Sequence, residues 1–344
     1  MGSSSMTKSR EIRLMSRPEG MPVADNFEVA TVDLAAPTAG QIRVRNRFMS
    51  VDPYMRGRMY DRPSYVPPFQ IGQPLQGHAI GEVVESQANG YAVGDMVTSM
   101  LGWREEFVVD PSVFAAMPGM FEKLPPLSGI SPSAFLGVLG MPGLTAYTGL
   151  LQIGAPKAGE TVFVSGGAGA VGSVVAQIAK IKGCTVIATA GSAEKCEWLR
   201  SVGVDHAINY KNGNLLDAVR SAAPKGIDVY FDNVGGEHLE VAIELANPFA
   251  RFAECGMIAQ YNATEVVPGP RNMMMVVGKR LKIQGFIVSD FASMREQFVT
   301  DMGGWIADDR IKWEETVMEG IDQAPAAFLG LFTGGNTGKM VVAL

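Results

Sequence analysis

Only three cysteines occur in the 344 residues, Cys184, Cys196 and Cys255, and they stand far apart. That leaves no disulfide framework and no clustered thiolates for a structural zinc site. Histidine is equally scarce, at three residues. No run approaches the roughly 18 apolar residues that span a bilayer. No block of lysine and arginine breaks a net charge of −6, which argues against a nucleic-acid partner. The opening Met1 to Arg10 lacks the apolar core of a secretory leader, and Gly2-Ser3-Ser4-Ser5 reads as a cloning remnant ahead of Met6. A cytoplasmic enzyme is the expectation, and the length exceeds what one ordinary core holds, so two domains are expected.

Up to about residue 130 the texture is that of strands. Gln41 to Arg45 alternates with period two, Ala79 to Val84 is a short apolar run, and Phe107 to Val109 follows. Turn signals and a proline-rich patch from Pro63 to Pro74 separate them. An antiparallel barrel or sandwich is expected there. From about 131, where Ser131-Pro132 reads as a helix start, strands and helices alternate. Strands are expected at 161–165, 185–188, 207–209 and 228–231, with helices at 171–182, 193–202, 214–223 and 236–246. Further apolar runs lie near 252–258 and 281–288. Such alternation implies a parallel sheet covered on both faces. The tail Gly338 to Leu344 reads as a last strand returning to the first domain. The expected division is 6–130 with 312–344, and 131–311. Met273-Met274-Met275 reads as core packing more readily than as a flexible pocket wall.

The chemistry centres on Gly167-Ala168-Gly169-Ala170-Val171-Gly172, which follows a strand and opens a helix. In that context Gly167 permits the tight turn, Gly169 lets a pyrophosphate approach the backbone, and Gly172 lets helix and strand pack closely. Amides at the helix N-terminus then bind the anion. The second strand ends Thr189-Ala190-Gly191-Ser192, without the acid that would hold the ribose hydroxyls of NAD, and Lys195 follows. A small residue with an ammonium nearby favours a 2′-phosphate, hence NADP(H). Glu194 is the dissenting charge, and a helix-capping role would turn it away.

Several further stretches carry a resemblance. They are Val51-Asp52-Pro53-Tyr54-Met55-Arg56, Gly140-Met141-Pro142-Gly143-Leu144-Thr145-Ala146-Tyr147, Tyr230-Phe231-Asp232-Asn233-Val234-Gly235-Gly236 and Gly335-Asn336-Thr337-Gly338-Lys339. With the glycine loop, they make the chain resemble, from residue 10 to 344, the zinc-free medium-chain dehydrogenases/reductases of the prostaglandin reductase, curcumin reductase and plant double-bond reductase family. The resemblance implies a GroES-like catalytic domain and a doubly wound Rossmann domain of the α/β class. It implies NADPH-dependent reduction of the carbon–carbon double bond of α,β-unsaturated ketones and aldehydes, and a homodimer. It places Lys195 and Tyr210 at the adenosine phosphate, Asn233, Val234 and Asn336 near the ribose and nicotinamide, and Thr145 beside the cofactor. Tyr261 is implied at the nicotinamide ribose and substrate carbonyl, with Tyr54 and Tyr65 lining the substrate cleft.

Gly77-His78-Ala79 echoes the metal segment of zinc alcohol dehydrogenases, but Ala79 stands where their acid would, and no cysteine lies upstream. His78 therefore reads as a structural remnant, and no metal is expected. Two other readings stay open: a quinone reductase of the same superfamily, and a non-catalytic NADPH-binding protein.

Overall fold

The computed structural model describes residues 6–126 and 129–344. The residues read as a cloning remnant, and Leu127 and Ser128 inside the expected first domain, lie outside the described residues. The chain divides into two units. One takes in the described residues up to Leu136 together with Thr316–Gly335 and Met340–Leu344. The other is Gly137–Glu315 with Asn336–Lys339.

The first unit is built from strands, as the period-two patterning requires. β1 (Thr7–Leu14) and β2 (Phe27–Leu34) form an antiparallel hairpin, Glu11 opposite Ala30. β3 (Ile42–Ser50) is the hub of a larger antiparallel sheet, in which it pairs with β4 (Ala79–Ser86) and with β6 (Glu106–Val109). β5 (Met96–Ser99) and β7 (Phe121–Lys123) continue beyond β4. Alternate residues of these strands, Ile42, Val44, Val83 and Val97, are fully buried in one cluster with Phe107 and Phe121. That alternation is what a sheet with one covered face demands.

The second unit opens after a correction to the expected helix start at Ser131-Pro132. Those residues make only a short 3-10 turn, Pro132–Leu136. Gly137 and Gly140 follow closely and weaken any continuation, and the helix α1 starts afresh at Met141–Thr148 with Pro142 in its first turn. Six parallel strands follow: β8 (Thr161–Val164), β9 (Thr185–Ala190), β10 (His206–Asn209), β11 (Ile227–Asp232), β12 (Ala246–Glu254) and β13 (Lys282–Gly285). Their spatial order is β10-β9-β8-β11-β12-β13, so the order reverses between β8 and β11. In open α/β sheets ligands bind beyond the carboxyl ends of strands at such a reversal.

The intervening helices are α2 (Gly172–Ile181), α3 (Ala193–Ser201), α4 (Leu215–Ala222) and α5 (Gly236–Leu245). Gly183, at φ +82°, closes the turn after α2 as a helix-ending glycine does. The sheet core is apolar on both faces, with Phe163, Ile187, Tyr230 and Phe252 fully buried on one face and Val164, Ala188, Phe231 and Ala253 on the other. The apolar stretch 252–258 does not remain in the sheet: β12 ends at Glu254 because the Cys255 and Gly256 amides turn to donate to the carbonyl of Asp232. α6 (Met274–Lys279) corrects the expectation for the methionine triplet: Met274 is 83% exposed and Met273 48%, and only Met275 packs on the core. The chain continues through α7 (Arg295–Ala307) to β14 (Glu315–Glu319), α8 (Ala324–Gly330) and β15 (Lys339–Ala343). β15 pairs antiparallel with β3, Val342 opposite Met49, so the tail does close the first sheet.

Candidate active site

The glycine loop joins β8 to α2, and each glycine in it answers to a different constraint. The positive φ that makes the turn belongs to Gly166, at +59°, and not to Gly167, where it was expected. Gly167 is small for another reason: its amide donates to the Thr189 carbonyl at 2.7 Å, and a side-chain carbon there would lie 2.7 Å from the Ala188 Cβ. At Gly172 the same carbon would come 2.3 Å from the Gly166 carbonyl oxygen, so helix and loop close only around glycine. Gly169 differs from both. A Cβ there meets nothing nearer than the Gly166 oxygen at 3.4 Å. The chain's own packing does not require that glycine, and the space above it is open to a ligand.

Ala168 and Gly169 are flanked by the segment Asn336–Lys339. The Gly338 amide donates to the Ala168 carbonyl at 2.7 Å, and Gly169 and Gly338 form a parallel bridge. Gly338 has φ +65°, and a side-chain carbon on it would fall 2.0 Å from the Glu314 carbonyl oxygen. Asn336 caps this turn by donating from Nδ2 to the Gly338 carbonyl at 2.7 Å. Ala170 and Val171 lead into α2, and the Ser173 amide closes on the Gly169 carbonyl at 3.1 Å. Thr145 is buried on α1, which packs against α2, and its hydroxyl donates to the Met141 carbonyl at 2.8 Å.

Across the loop, β9 ends at Ala190, and Ser192 caps α3, its Oγ accepting from the Lys195 amide at 3.3 Å. A side-chain carbon on Gly191 would lie 3.2 Å from the Tyr210 hydroxyl and 3.5 Å from the Lys211 Nζ. Burial, and next the charge of Lys211, hold the Lys195 ammonium below the usual lysine range. A phenol and the Lys211 ammonium thus stand beside Gly191, with the Lys195 ammonium within electrostatic reach of Lys211, an arrangement that favours an anion. Lys211 is a site residue that sequence reasoning passed over, although it directly follows Tyr210. Glu194 does turn away: its carboxylate accepts from its own amide and from the Ser192 hydroxyl, which holds it below the ordinary glutamate range.

On the other side of the loop, the carboxylate of Asp232 organises the turn after β11. Its Oδ1 accepts from the Ser165 hydroxyl at 2.9 Å, the Tyr230 hydroxyl at 2.8 Å, and the Val234 and Gly235 amides at 2.9 and 2.8 Å. Ser165 Oγ in turn accepts from the Asn233 amide at 2.9 Å, and Asn233 Nδ2 donates to the Ser165 carbonyl at 2.8 Å. Asn233 and Val234 are thereby fixed beside Gly166. The following turn, 255–261, is tied to the same loop, with the Ile258 and Ala259 amides donating to the Asn233 and Val234 carbonyls at 3.2 Å. Tyr261 is half-buried at its end, and its hydroxyl accepts from the Met257 amide at 3.3 Å. Asp232 sits inside a quoted motif, but nothing in a single sequence marks its carboxylate as the knot.

The second unit therefore brings together the glycine loop, Gly191, Ser192, Lys195, Tyr210, Asn233, Val234, Tyr261 and Asn336. Tyr54 and Tyr65 belong to the first unit. Tyr54 is half-buried and hydrogen-bonded to Arg58; burial first, and then the charge of Asp52, hold its hydroxyl well above the ordinary phenol range. Tyr65 is 63% exposed. Among the described residues no group of three or more His, Cys, Asp or Glu is placed to hold a metal ion, and no helix is long and apolar enough to cross a membrane.

The chain matches the family models described as "N-terminal domain of oxidoreductase" over residues 10–117 and "Zinc-binding dehydrogenase" over residues 170–303. It is 41% identical to the NADPH-dependent curcumin reductase of Escherichia coli, over 97% of this chain and 96% of that one. It is 40% identical to prostaglandin reductase 1 of Rattus norvegicus, over 98% and 99% of the two chains. The crystal structure of CurA in complex with NADPH from Vibrio vulnificus superposes with a TM-score of 0.91 at 40% identity, over 97% of this chain and 98% of that one.

The glycine analysis generates a paired prediction. Gly172→Ala must displace the Gly166 backbone, so it should lower the melting temperature and abolish dinucleotide binding together. Gly169→Ala should keep the melting temperature within a degree or so of wild type, since a change of about 0.5 kcal/mol or less moves it little, yet weaken NADPH binding at least tenfold by calorimetry.

Proposed function

The chain belongs to the family of zinc-free medium-chain reductases that includes curcumin reductase and prostaglandin reductase, and from that membership we propose that it uses NADPH to reduce the carbon–carbon double bond of α,β-unsaturated ketones and aldehydes. The observation that carries the cofactor is the placement of Tyr210 and Lys211 beside Gly191 at the end of β9, with the Lys195 ammonium feeling the charge of Lys211. Its positive charge matches a ribose 2′-phosphate better than bare ribose hydroxyls, which an acid would accept from. The open space at Gly169, before the first turn of α2, suits the pyrophosphate. Residues 6–130 with 312–344 are assigned as the GroES-like catalytic part and 131–311 as the nucleotide-binding part.

When bound, NADPH supplies a hydride for the β-carbon of the substrate. The protein's own groups do the rest. Asn233, Val234 and Asn336 line the nicotinamide end, and their hydrogen bonds to Asp232, Ser165 and Gly338 keep them from rearranging. The Tyr261 hydroxyl accepts from the Met257 amide, which fixes its position at the end of the 255–261 turn. In this reading it donates to the carbonyl oxygen as negative charge develops there. Such a donor, held ready in a site that excludes water, contributes about 3 kcal/mol. Tyr54 and Tyr65 are assigned to the substrate. Curcumin, named in one relative, is itself a conjugated enone, and a mostly apolar pocket accepts such molecules.

A homodimer and a cytoplasmic location are part of the same proposal. β13 lies at the end of its sheet, and exposed apolar side chains, Val277 and Met274, stand on α6 nearby in sequence. An edge strand with that surrounding suits pairing with a second copy. The three thiols are free, as a reducing compartment would keep them.

Three measurements test this reading. Tyr261→Phe should lower kcat on an enone about a hundredfold with little change in NADPH affinity; unchanged turnover would remove the assigned role. Lys195→Ala should weaken NADPH about tenfold or more and leave NADH nearly unaffected, as loss of a charge-assisted contact requires. Light scattering of the wild type should give twice the chain mass, and Met274→Glu should shift it toward the monomer.

A further inference from the structure

Two carboxyl groups meet at the ends of neighbouring strands. β11 and β12 run parallel with Asp232 directly opposite Glu254, so both side chains leave the same face of the sheet. Asp232 is fully buried, and its Oδ1 is already taken by four donors. Its Oδ2 and both oxygens of Glu254 are also buried, and no hydrogen bond from any other described group reaches them.

Among the described residues, no cation acts on the Glu254 carboxyl to offset two charges. From β11 comes Tyr230, whose hydroxyl is spent on Asp232 Oδ1. Cys255 follows Glu254 in the chain, and burial pushes its thiol up to about 12. From α5 comes His238, whose Nε2 is buried without a partner and whose imidazole burial pushes down to about 4, so it stays neutral. β13 contributes Gly285 opposite Glu254, and β8 contributes Ser165. Two ionised carboxylates on neighbouring strands in a buried site repel each other strongly, and one proton between them removes the conflict.

We propose that Glu254 is a positioning residue that keeps its proton and donates it to Asp232 Oδ2, so that the pair carries a single charge and Asp232 can hold the Asn233–Gly235 turn. Burial first, and then the charge of Asp232, push the Glu254 carboxyl up to about 9. Loss of that proton presses a second negative charge against Asp232, the group to which Ser165, Val234 and Gly235 are tied. The turn at 233–235 then loosens, and with it the 255–261 turn that carries Tyr261. The effect on NADPH rests on the function proposed above; the shared proton does not.

Because the folded value lies above that of the unfolded chain, the protonated carboxyl favours the fold at low pH, and that contribution is lost as pH rises through about 9. Glu254→Gln keeps a donor for Oδ2 and cannot ionise. The melting temperature of the wild type should therefore fall below that of Glu254→Gln increasingly as pH is raised from neutral through about 9. NADPH affinity should match in the two proteins at neutral pH and drop several-fold in the wild type alone at alkaline pH. Glu254→Leu, with no donor, should bind NADPH about tenfold more weakly throughout, the cost of leaving Oδ2 bare. Isotope-edited infrared spectra of the cofactor-free wild type at neutral pH should contain a neutral carboxyl band that Glu254→Gln lacks. Parallel stability curves, or no such band, overturn the proposal. Should the wild type bind no NADPH at all, the function above fails, while the infrared and stability measurements still decide the shared proton.

Discussion

The site depends on a buried carboxylate that collects hydrogen bonds from four directions. Asp232 lies at the carboxyl end of β11, next to the point where strand order reverses, with no solvent to satisfy it. An ionised group there is tolerable only if the chain supplies donors, and it does so with two hydroxyls and two backbone amides. Each donor belongs to a segment the site needs: Ser165 begins the glycine loop, Val234 and Gly235 follow Asn233, and Tyr230 anchors the sheet beneath. The backbone carbonyl of the same residue receives the Cys255 and Gly256 amides and so starts the turn that ends in Tyr261. One desolvated charge thus places three separate parts of the chain in register.

Around this knot, the two ends of the proposed cofactor would be met by different physics. At the proposed adenosine end the matter is charge: Lys211 stands beside Gly191, its ammonium acts on that of Lys195, and a phosphate would relieve the repulsion. At the proposed nicotinamide end the matter is fixed geometry, since the Asn233 and Asn336 side chains are already hydrogen-bonded to the Ser165 and Gly338 carbonyls. Preorganisation of this kind leaves little to be ordered when substrate arrives, which is where catalytic advantage arises. In the proposed function, charge would discriminate between phosphorylated and plain dinucleotides, and rigidity would give orientation.

Much of the architecture was legible beforehand because it is written in local pattern. The order of strands and helices from 161 to 246 follows from periodicity and from turn residues such as Gly183. The glycine loop was legible too, although the turn proper belongs to Gly166, since φ is a backbone property that a spacing of glycines does not report. The helix expected at Ser131-Pro132 failed because two glycines downstream outweigh a good start signal. The methionine triplet failed because apolar character does not say which side of a helix finds a partner.

What the amino-acid sequence determined alone was therefore the class of fold, the glycine loop between strand and helix, and the sign of charge near it, all carried by residues close together in the chain. The tertiary structure decided which distant residues share a face. It alone set Lys211 against Gly191, Asp232 against Ser165, and Glu254 opposite Asp232, because parallel strands bring together positions tens of residues apart, and their register is chosen by the packing of the whole sheet.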